Sequence, residues 1–255
     1  MSELQKPGYW TPETYLRLNV KDYCEGFCTW RALSELLSYA GTERNKERNK
    51  AFLTTLFLTG GRVSEVLALR KDNFQVKQGI ILVNGMKLLK RYKKIQETVD
   101  SEGRKHWLTE RLVKTRNPFP ILLAEPLAPT LLAWLNKSKD MLFPSTYKID
   151  APLTRSWAYK LIRNIDTSLP DSLRENLGLN KDFKDRKGNT IKKGIHLWLH
   201  WFRSQRASEL VLDYGYEVVD LIDYFTWEKY DTALRYAKKG WRGLAAKMQG
   251  PVTYV

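Results

Sequence analysis

The stretch from His200 to Tyr236 brings together side chains suited to phosphoryl transfer. A guanidinium such as that of Arg203 presents a planar fork of donors to the oxygens of a phosphodiester. A tyrosine is a weak nucleophile at neutral pH because its pKa is about 10, so nearby positive charge and a proton acceptor must help it to ionise. A histidine can accept that proton or hold the phosphate. These residue types therefore point to attack of a tyrosine on a phosphate ester.

Predicted helices must position these side chains. His200 and Arg203 are three residues apart in a stretch without Gly or Pro from Ile195 to Asp213, so both should project from one helical face. A second, short helix is predicted from apolar residues at helical spacing: Val218, Leu221, Ile222 and Phe225. Trp227 ends that region, and Tyr236 follows nine residues later on a further short helix.

This pattern resembles the C-terminal motif of the tyrosine recombinases, or phage-type integrases, in which H-x-x-R is followed by a His or Trp and then by the nucleophilic Tyr. The segment RASELVLDYGYEVVDLIDYFTWEKYDTALRYAKK is most similar to the archaeal branch of that family. Upstream, FLTTLFLTGGRVSEVLALRKDNF resembles the family's first box, TGLR-x-SE-L-x-x-L. Gly61 stands where Leu is usual, which we expect to alter packing more than chemistry. Several boxes in the family's order are far more specific than any one alone.

The resemblance implies a set of site residues. The catalytic residues would be Arg62, Lys114, His200, Arg203, Trp227 and Tyr236, with Glu65 and Lys87 in support. The two arginines would clamp the phosphate, and Tyr236 would be the nucleophile. In the family, a lysine on a β-hairpin protonates the leaving 5′ oxygen.

Two lysines compete for that last role, because the hairpin carries a long insertion. Lys87 ends the strand GIILVNGMK at close to the family spacing from Arg62. Lys114 lies on the returning segment KTRNPFPILL, before the Pro-Ile-Leu that often follows the family's lysine. We favour Lys114 narrowly, because of the residues that follow it in the sequence rather than its spacing from Arg62.

Each assignment has a structural alternative. His200 is of a type that often lies on a helix surface or in a hydrogen-bonded core. Arg62 has the i, i+3 spacing of an ordinary salt bridge with Glu65. Trp227 has the features of a core aromatic residue, and Tyr230 is the second candidate for the nucleophile.

The balance of charge favours a polyanionic partner. Lys and Arg number 43 against 28 Asp and Glu, which gives a net charge of +15 and a pI near 9.7. From residue 87 to 116, ten basic residues minus four acidic ones leave +6 on the predicted hairpin insertion, which spans about 85–117. The residues expected to grip DNA are Lys90, Arg91, Lys93, Lys94, Arg104, Lys105, Arg116 and Arg206.

The expected fold is α+β, mostly α-helical with a small antiparallel β-sheet, as the resemblance to the DNA breaking-rejoining fold of the recombinase catalytic domain implies. We expect a lead over residues 1–22, a catalytic domain over 23–240 and a tail over 241–255 that contacts a neighbouring subunit. Helices are predicted over 27–40, 49–58, 62–70, 127–135 and 157–165, strands over 79–83 and 119–123, and a turn over 185–189.

The family's usual N-terminal core-binding domain has no room before Arg62. The sequence therefore predicts a compact recombinase or a separately made C-terminal part, with a second polypeptide as a candidate source of the core-binding domain.

The resulting hypothesis is a site-specific recombinase that acts on double-stranded DNA through a 3′-phosphotyrosyl link and works as a multimer, a tetramer in the family. The alternatives are a type IB topoisomerase-like relaxer, which would act as a monomer, and a truncated regulator that binds recombination sites without cutting. The family mechanism requires no ATP and no metal ion, and the sequence contains no P-loop or metal-carboxylate motif.

An intracellular location, in the cytoplasm with the nucleoid, is expected from two cysteines and no signal-like leader. No apolar run approaches the roughly twenty residues of a membrane helix, so no membrane partner is expected.

Overall fold

The computed structural model describes residues 28–88, 92–111, 114–145, 151–179, 183–184, 190–192 and 196–237. The predicted lead over 1–22, the turn over 185–189 and the tail over 241–255 lie outside these residues, as do Lys90 and Arg91.

The helices and strands follow the predicted α+β order. The α-helices are α1 (Trp30–Ser38), α2 (Glu43–Thr59), α3 (Val63–Leu67), α4 (Ala128–Lys137), α5 (Arg155–Ser168), α6 (Asp171–Asn176), α7 (Leu199–Leu212), α8 (Val218–Phe225) and α9 (Tyr230–Ala237). The strands are β1 (Phe74–Lys77), β2 (Ile80–Val83), β3 (Lys87–Leu88), β4 (Tyr92–Val99), β5 (Lys105–Arg111), β6 (Lys114–Thr115), β7 (Phe119–Leu122), β8 (Phe183–Lys184) and β9 (Thr190–Lys192). The prediction of a mostly helical domain with small antiparallel sheets is confirmed.

Two helices, α2 and α7, form the centre of the domain. The first half of α2 is polar, whereas its second half, AFLTTLFLT, is buried on every side against α1, α4 and α7. Helix α7 is buried from Trp201 to Val211, and this stretch includes charged residues. A helix buried all round cannot leave its polar side chains to water, so those of α7 need partners inside the protein.

A three-stranded antiparallel sheet, in the order β1-β2-β7, covers one side of the helices. Alternate residues of β2 and β7 point into the core, with Val83 opposite Phe119 and Ile81 opposite Ile121. Beyond this sheet, β3 pairs with β6 and β4 pairs with β5 in one long hairpin. The described residues of the predicted insertion thus form two antiparallel strand pairs.

One helix prediction needs correction. The sequence predicts a helix over 62–70, but α3 ends at Leu67 and a 3₁₀ turn follows over Lys71–Asn73. The reason is a tertiary contact, because the Leu69 carbonyl accepts a hydrogen bond from the Leu142 amide at 3.1 Å. Arg70 also forms a β-bridge with Met141, which takes the chain out of the helix.

Among the residues that the structure describes, no helix combines the length and the apolar character needed to span a bilayer. Cys28 is buried and forms no disulfide, and burial raises the pKa of its thiol. The second cysteine of the chain, Cys24, lies outside the residues that the structure describes.

Candidate active site

The turn between α2 and α3 positions Arg62. Gly60 ends α2 in the left-handed region, with φ of 54°, and a Cβ there would lie 2.4 Å from the Phe225 ring. A glycine is therefore required by both backbone and packing. At Gly61, a Cβ would lie 2.3 Å from Cε of Met86. The methionine occupies the space that a larger residue would need, which agrees with the expectation that this glycine alters packing.

Arg62 is held at both ends by Glu65. The Arg62 amide donates to Oε2 of Glu65, and Nη1 donates to Oε1, both at 2.8 Å. The carboxylate is 1% exposed, whereas the arginine side chain is 36% exposed. The ordinary salt bridge foreseen as an alternative is thus present. It is compatible with phosphate binding, because a guanidinium has five donors and the ion pair uses one of them.

Arg203 lies inside the domain, at the junction of α2, α7 and α8. Its Nη1 donates to the Gly60 carbonyl at 2.6 Å, and its guanidinium carbon lies 4.6 Å from the Phe225 ring and 5.4 Å from the Trp227 ring. Burial, followed by the nearby charge of Arg62, lowers the Arg203 pKa to about 10. The group remains a cation at neutral pH.

The second terminal nitrogen of Arg203 is the chemically informative one. This Nη2 is buried and has no hydrogen-bond partner among the residues that the structure describes. A buried donor without an acceptor costs free energy. Nη2 of Arg116 is in the same state, so it is the position of Arg203 beside the Trp227 and Tyr236 rings that makes its unfilled donor suited to an incoming anion. His200 lies one turn earlier on α7, in the first turn of the helix, and is exposed.

Two aromatic rings, those of Phe225 and Trp227, connect the arginine to the candidate nucleophile. Trp227 stacks on Phe225 at 4.5 Å between ring centroids and on Tyr236 at 5.4 Å. The Tyr236 hydroxyl is 3.3 Å from Oγ of Ser204, the residue that follows Arg203. Trp227 therefore packs as a core aromatic residue, which is the alternative given in the sequence analysis, and its ring also supports that of Tyr236. Tyr230, the second candidate, is 57% exposed at the start of α9.

The two candidate lysines lie on opposite faces of the hairpin end. In the β3–β6 pair, Lys114 is opposite Leu88, whereas Lys87 is opposite Thr115. Residues opposite each other share a face, and successive residues of a strand alternate, so the two ammonium groups point to different sides. Nζ of Lys114 lies 3.4 Å from Oε1 of Glu228, the neighbour of Trp227. Of the two lysines, Lys114 is thus the one whose ammonium contacts the segment that carries Trp227.

Two residues predicted to contact DNA are placed differently by the structure. Arg116 and Arg206 are 2% and 1% exposed, so neither presents its guanidinium at the surface. Arg116 donates to the carbonyls of Thr59 and Tyr224. Arg206 contacts both oxygens of Glu125 at 2.7 and 3.0 Å, and Glu209 at 2.7 Å. The structure therefore does not place either guanidinium at a surface where it could contact DNA, since a high local count of basic residues does not tell which of them are buried.

The rest of the predicted DNA-binding set lies on the hairpin. Arg104 and Lys105 are exposed, and both are paired with hairpin acids: Lys105 with Glu97 at 2.9 Å, and Arg104 with Asp100 at 3.1 Å. Lys93 and Lys94 lie on β4. The described tip is therefore less positive than the count of basic residues suggests.

Three residues near the site were not predicted from the sequence: Ser204, Tyr224 and Glu228. Ser204 contacts the Tyr236 hydroxyl, and Glu228 contacts Lys114. Tyr224 is buried and donates to the Leu58 carbonyl at 2.8 Å. In the sequence, these residues are marked only by being next to Arg203, Phe225 and Trp227. Such a position alone does not distinguish a site residue from its neighbours.

Comparison with known proteins agrees with this geometry. The profile described as the phage integrase family matches residues 28–240. The fold is similar to that of the XerH site-specific recombinase bound to difH substrate, with a TM-score of 0.50 and 15% identity, over 87% of this chain and 53% of that chain. It is also similar to the Tn1549 transposon integrase in complex with circular intermediate DNA, with a TM-score of 0.52 and 13% identity, over 90% of this chain and 68% of that chain.

The structural matches establish the fold alone, because the identities are low. The chain spans about half the length of the XerH chain that it matches. Among curated protein sequences, none gives a significant match.

Proposed function

Because the chain belongs to the phage integrase family, we propose that it is a site-specific recombinase that cleaves and rejoins double-stranded DNA through a 3′-phosphotyrosyl intermediate on Tyr236. The part matched by the family is a tyrosine recombinase catalytic domain. The observation that carries the proposal is the arrangement of Tyr236 on Trp227, beside a buried Arg203 that has an unfilled donor.

In the proposed cleavage step, the Tyr236 oxygen attacks the phosphorus and the bond from phosphorus to the 5′ oxygen breaks. The phenolic proton passes to His200 or to solvent, and Lys114 gives a proton to the leaving 5′ oxygen. The phosphotyrosyl ester retains the energy of the broken bond. The 5′ hydroxyl of another strand can therefore reverse the step and complete strand exchange.

Arg62 and Arg203 would bind the non-bridging oxygens, where negative charge develops during the attack. The two groups differ in exposure, since Arg62 directly precedes α3 and its side chain is 36% exposed, whereas Arg203 is buried on α7. Glu65 leaves further donors of Arg62 for the phosphate while it fixes the side chain. The site thus offers a clamp that is preorganised before DNA binds.

We propose double-stranded DNA as the partner and a multimer on DNA as the active assembly. The net charge of +15 supports a polyanion, and the similar Tn1549 transposon integrase is in complex with circular intermediate DNA. Recombination joins four strand ends, so a single Tyr236 per chain requires several chains on the exchanged sites.

Trapping of the covalent intermediate tests the proposal. The protein is incubated with nicked suicide DNA substrates, from which the cleaved 5′ end diffuses away, and adducts are separated on a denaturing gel. We expect an adduct with the native chain and with Tyr230→Phe, and none with Tyr236→Phe. DNA binding of Tyr236→Phe should stay nearly unchanged, because one hydroxyl is lost.

The other outcomes identify the alternatives. Adducts without strand exchange, combined with relaxation of supercoiled DNA by the monomer, would replace the recombinase with a type IB topoisomerase-like enzyme. Salt-sensitive DNA binding without an adduct on any substrate would indicate a regulator that occupies sites and does not cut them.

A further inference from the structure

Side chains from three other parts of the molecule hold the end of α2. They donate to three successive carbonyls: Tyr224 to Leu58 at 2.8 Å, Arg116 to Thr59 at 2.6 Å and Arg203 to Gly60 at 2.6 Å. The last carbonyls of a helix have no partner within the helix. When they are buried, they need a hydrogen-bond donor from another part of the protein. Of these three, only Arg203 takes part in the proposed chemistry, and Arg116 is the one that directly follows strand β6 of the hairpin.

Arg116 joins the hairpin to two helices. Nη1 reaches the Thr59 carbonyl of α2, and Nε reaches the Tyr224 carbonyl of α8. Its own amide donates to the Met86 carbonyl at 2.8 Å, across the base of the hairpin. Its guanidinium carbon lies 3.7 Å from the centre of the Phe119 ring. The hairpin base is therefore fastened to α2 and α8 by one side chain.

Only a guanidinium satisfies this arrangement. Its planar fork donates to two carbonyls on two helices at once, whereas the ammonium of lysine is a compact group on a flexible stem. An apolar residue would leave both buried carbonyls unpaired. Burial lowers the Arg116 pKa to about 9, so the side chain stays charged at neutral pH despite the cost of burying a cation. The rings around it offset part of that cost.

Lys114 lies two residues before this fastening point, at the edge of the described part of β6. Its side chain is 56% exposed, and its ion pair with Glu228 is equally open to solvent. Exposed ion pairs hold a side chain weakly. The position of the Lys114 backbone relative to α8 therefore depends on what fastens the hairpin next to it, and that is Arg116.

We infer that Arg116 is a positioning residue for Lys114, which rests on the proposed function and adds a specific role to it. Arg116 does not touch the DNA. It fixes the hairpin base so that the Lys114 ammonium meets the leaving 5′ oxygen. A displacement of about one ångström at such a group costs on the order of 100-fold in rate.

The test compares two DNA substrates. One is ordinary suicide DNA, whose leaving 5′ oxygen needs a proton. In the other, sulfur replaces that bridging oxygen, and a thiolate leaves without protonation because thiols are far more acidic than alcohols. A variant with a misplaced proton donor is slow on the first substrate and recovers on the second. A variant with a generally damaged fold is slow on both.

We expect Arg116→Met to form the adduct about 30-fold more slowly than the native chain on ordinary DNA. On the sulfur substrate, its rate should return close to the native rate, as should that of Lys114→Met. Arg116→Lys should fall between Arg116→Met and the native chain on ordinary DNA. Arg174→Met is the matched control, because Arg174 also holds a carbonyl and a carboxylate, both of Asp166, away from the hairpin. It should leave both rates unchanged.

Equal slowing on both substrates, or native rates on both, would overturn the positioning role. If the native chain forms no adduct on either substrate, the proposed function fails instead, so the two failures are distinct. Thermal unfolding identifies variants that do not fold. If Arg116→Met does not fold, Arg116→Lys replaces it in the test, alone and combined with Lys114→Met. On ordinary DNA, the double variant should cleave no more slowly than Lys114→Met alone.

Discussion

Arginine and lysine are used differently in the centre of the domain and on the β4–β5 hairpin. In the centre, Arg116, Arg203 and Arg206 are 1–2% exposed and donate to buried carbonyls or carboxylates. On the hairpin, the side chains of Arg104 and Lys105 are 66% and 73% exposed and pair with nearby acids. The buried arginines hold neighbouring elements in place because their partners are rigid and shielded from water. The charged side chains of the hairpin can exchange their ion pairs for hydrogen bonds to water.

The largest effect should come from the centre. We expect Arg203→Lys to reduce the rate of adduct formation about 1,000-fold, since an ammonium cannot hold the Gly60 carbonyl and present a second donor to a phosphate. DNA affinity should change by no more than about threefold, because most phosphate contacts lie outside the site. Single-turnover cleavage and binding assays measure the two quantities.

Arg155→Lys, on the exposed start of α5, is the control and should change neither quantity. A loss of cleavage below about tenfold for Arg203→Lys would show that the fork geometry is not used, and the contrast between buried and exposed cations would lose its basis in catalysis.

The second effect lies at the boundary between the two regions, where the hairpin meets α8. Lys114→Met should slow cleavage of ordinary DNA about 100-fold, and Lys87→Met by less than about threefold, since a general acid contributes effects of the first size. The two lysines are matched controls for each other, because they lie on neighbouring strands and opposite faces. A large loss with Lys87→Met alone would assign the proton donor to the other face.

The sequence predicts the elements of the centre better than their contacts. Helices α7, α8 and α9 follow from local periodicity and from the absence of Gly and Pro in the stretch that contains Arg203. Burial of Arg116 could not be predicted in this way, because its partners on Thr59 and Tyr224 are 57 and 108 residues away. Arg116 belongs by sequence to the basic hairpin and by structure to the core.

The turn before Arg62 shows the same limit. The left-handed Gly60 is predictable from a glycine after an apolar helix. The reason for Gly61 is not predictable, since Met86, which fills the space beside it, lies beyond strand β2 in the chain. Long-range packing of this kind leaves no periodic signal in the chain.

A third prediction concerns stability and pH in the centre. Arg206 contacts both Glu125 and Glu209, and burial raises the pKa of Glu209 from 4.5 to about 8. Between these two values, the folded chain holds a proton that the unfolded chain releases, so stability falls as pH rises from about 5 to 8. Glu209→Gln keeps the neutral shape and should remove this part of the slope.

Thermal unfolding at pH 5.5 and pH 8 measures the difference. Relative to Glu209→Gln, the native chain should lose roughly 6–12 °C of Tm between these pH values. Glu175→Gln, on the exposed side of α6, controls for the change in net charge. Parallel Tm curves for the native chain and Glu209→Gln would mean that Arg206 keeps both carboxylates ionised, and that the centre tolerates the extra negative charge.

The smallest effect should come from the hairpin tip. Nζ of Lys105 lies 2.9 Å from Oε1 of Glu97, so much of its charge is already balanced within the hairpin. Lys105→Ala should therefore weaken DNA binding by less than about twofold near 0.15 M salt, whereas Glu97→Ala frees the ammonium and should tighten binding by a similar factor. Lys137→Ala, which removes an exposed ion pair with Glu47 elsewhere, is the matched control. If Lys105→Ala instead weakens binding tenfold and makes the salt dependence of binding less steep, the ion pair with Glu97 opens on DNA and the Lys105 ammonium contacts a phosphate of the backbone.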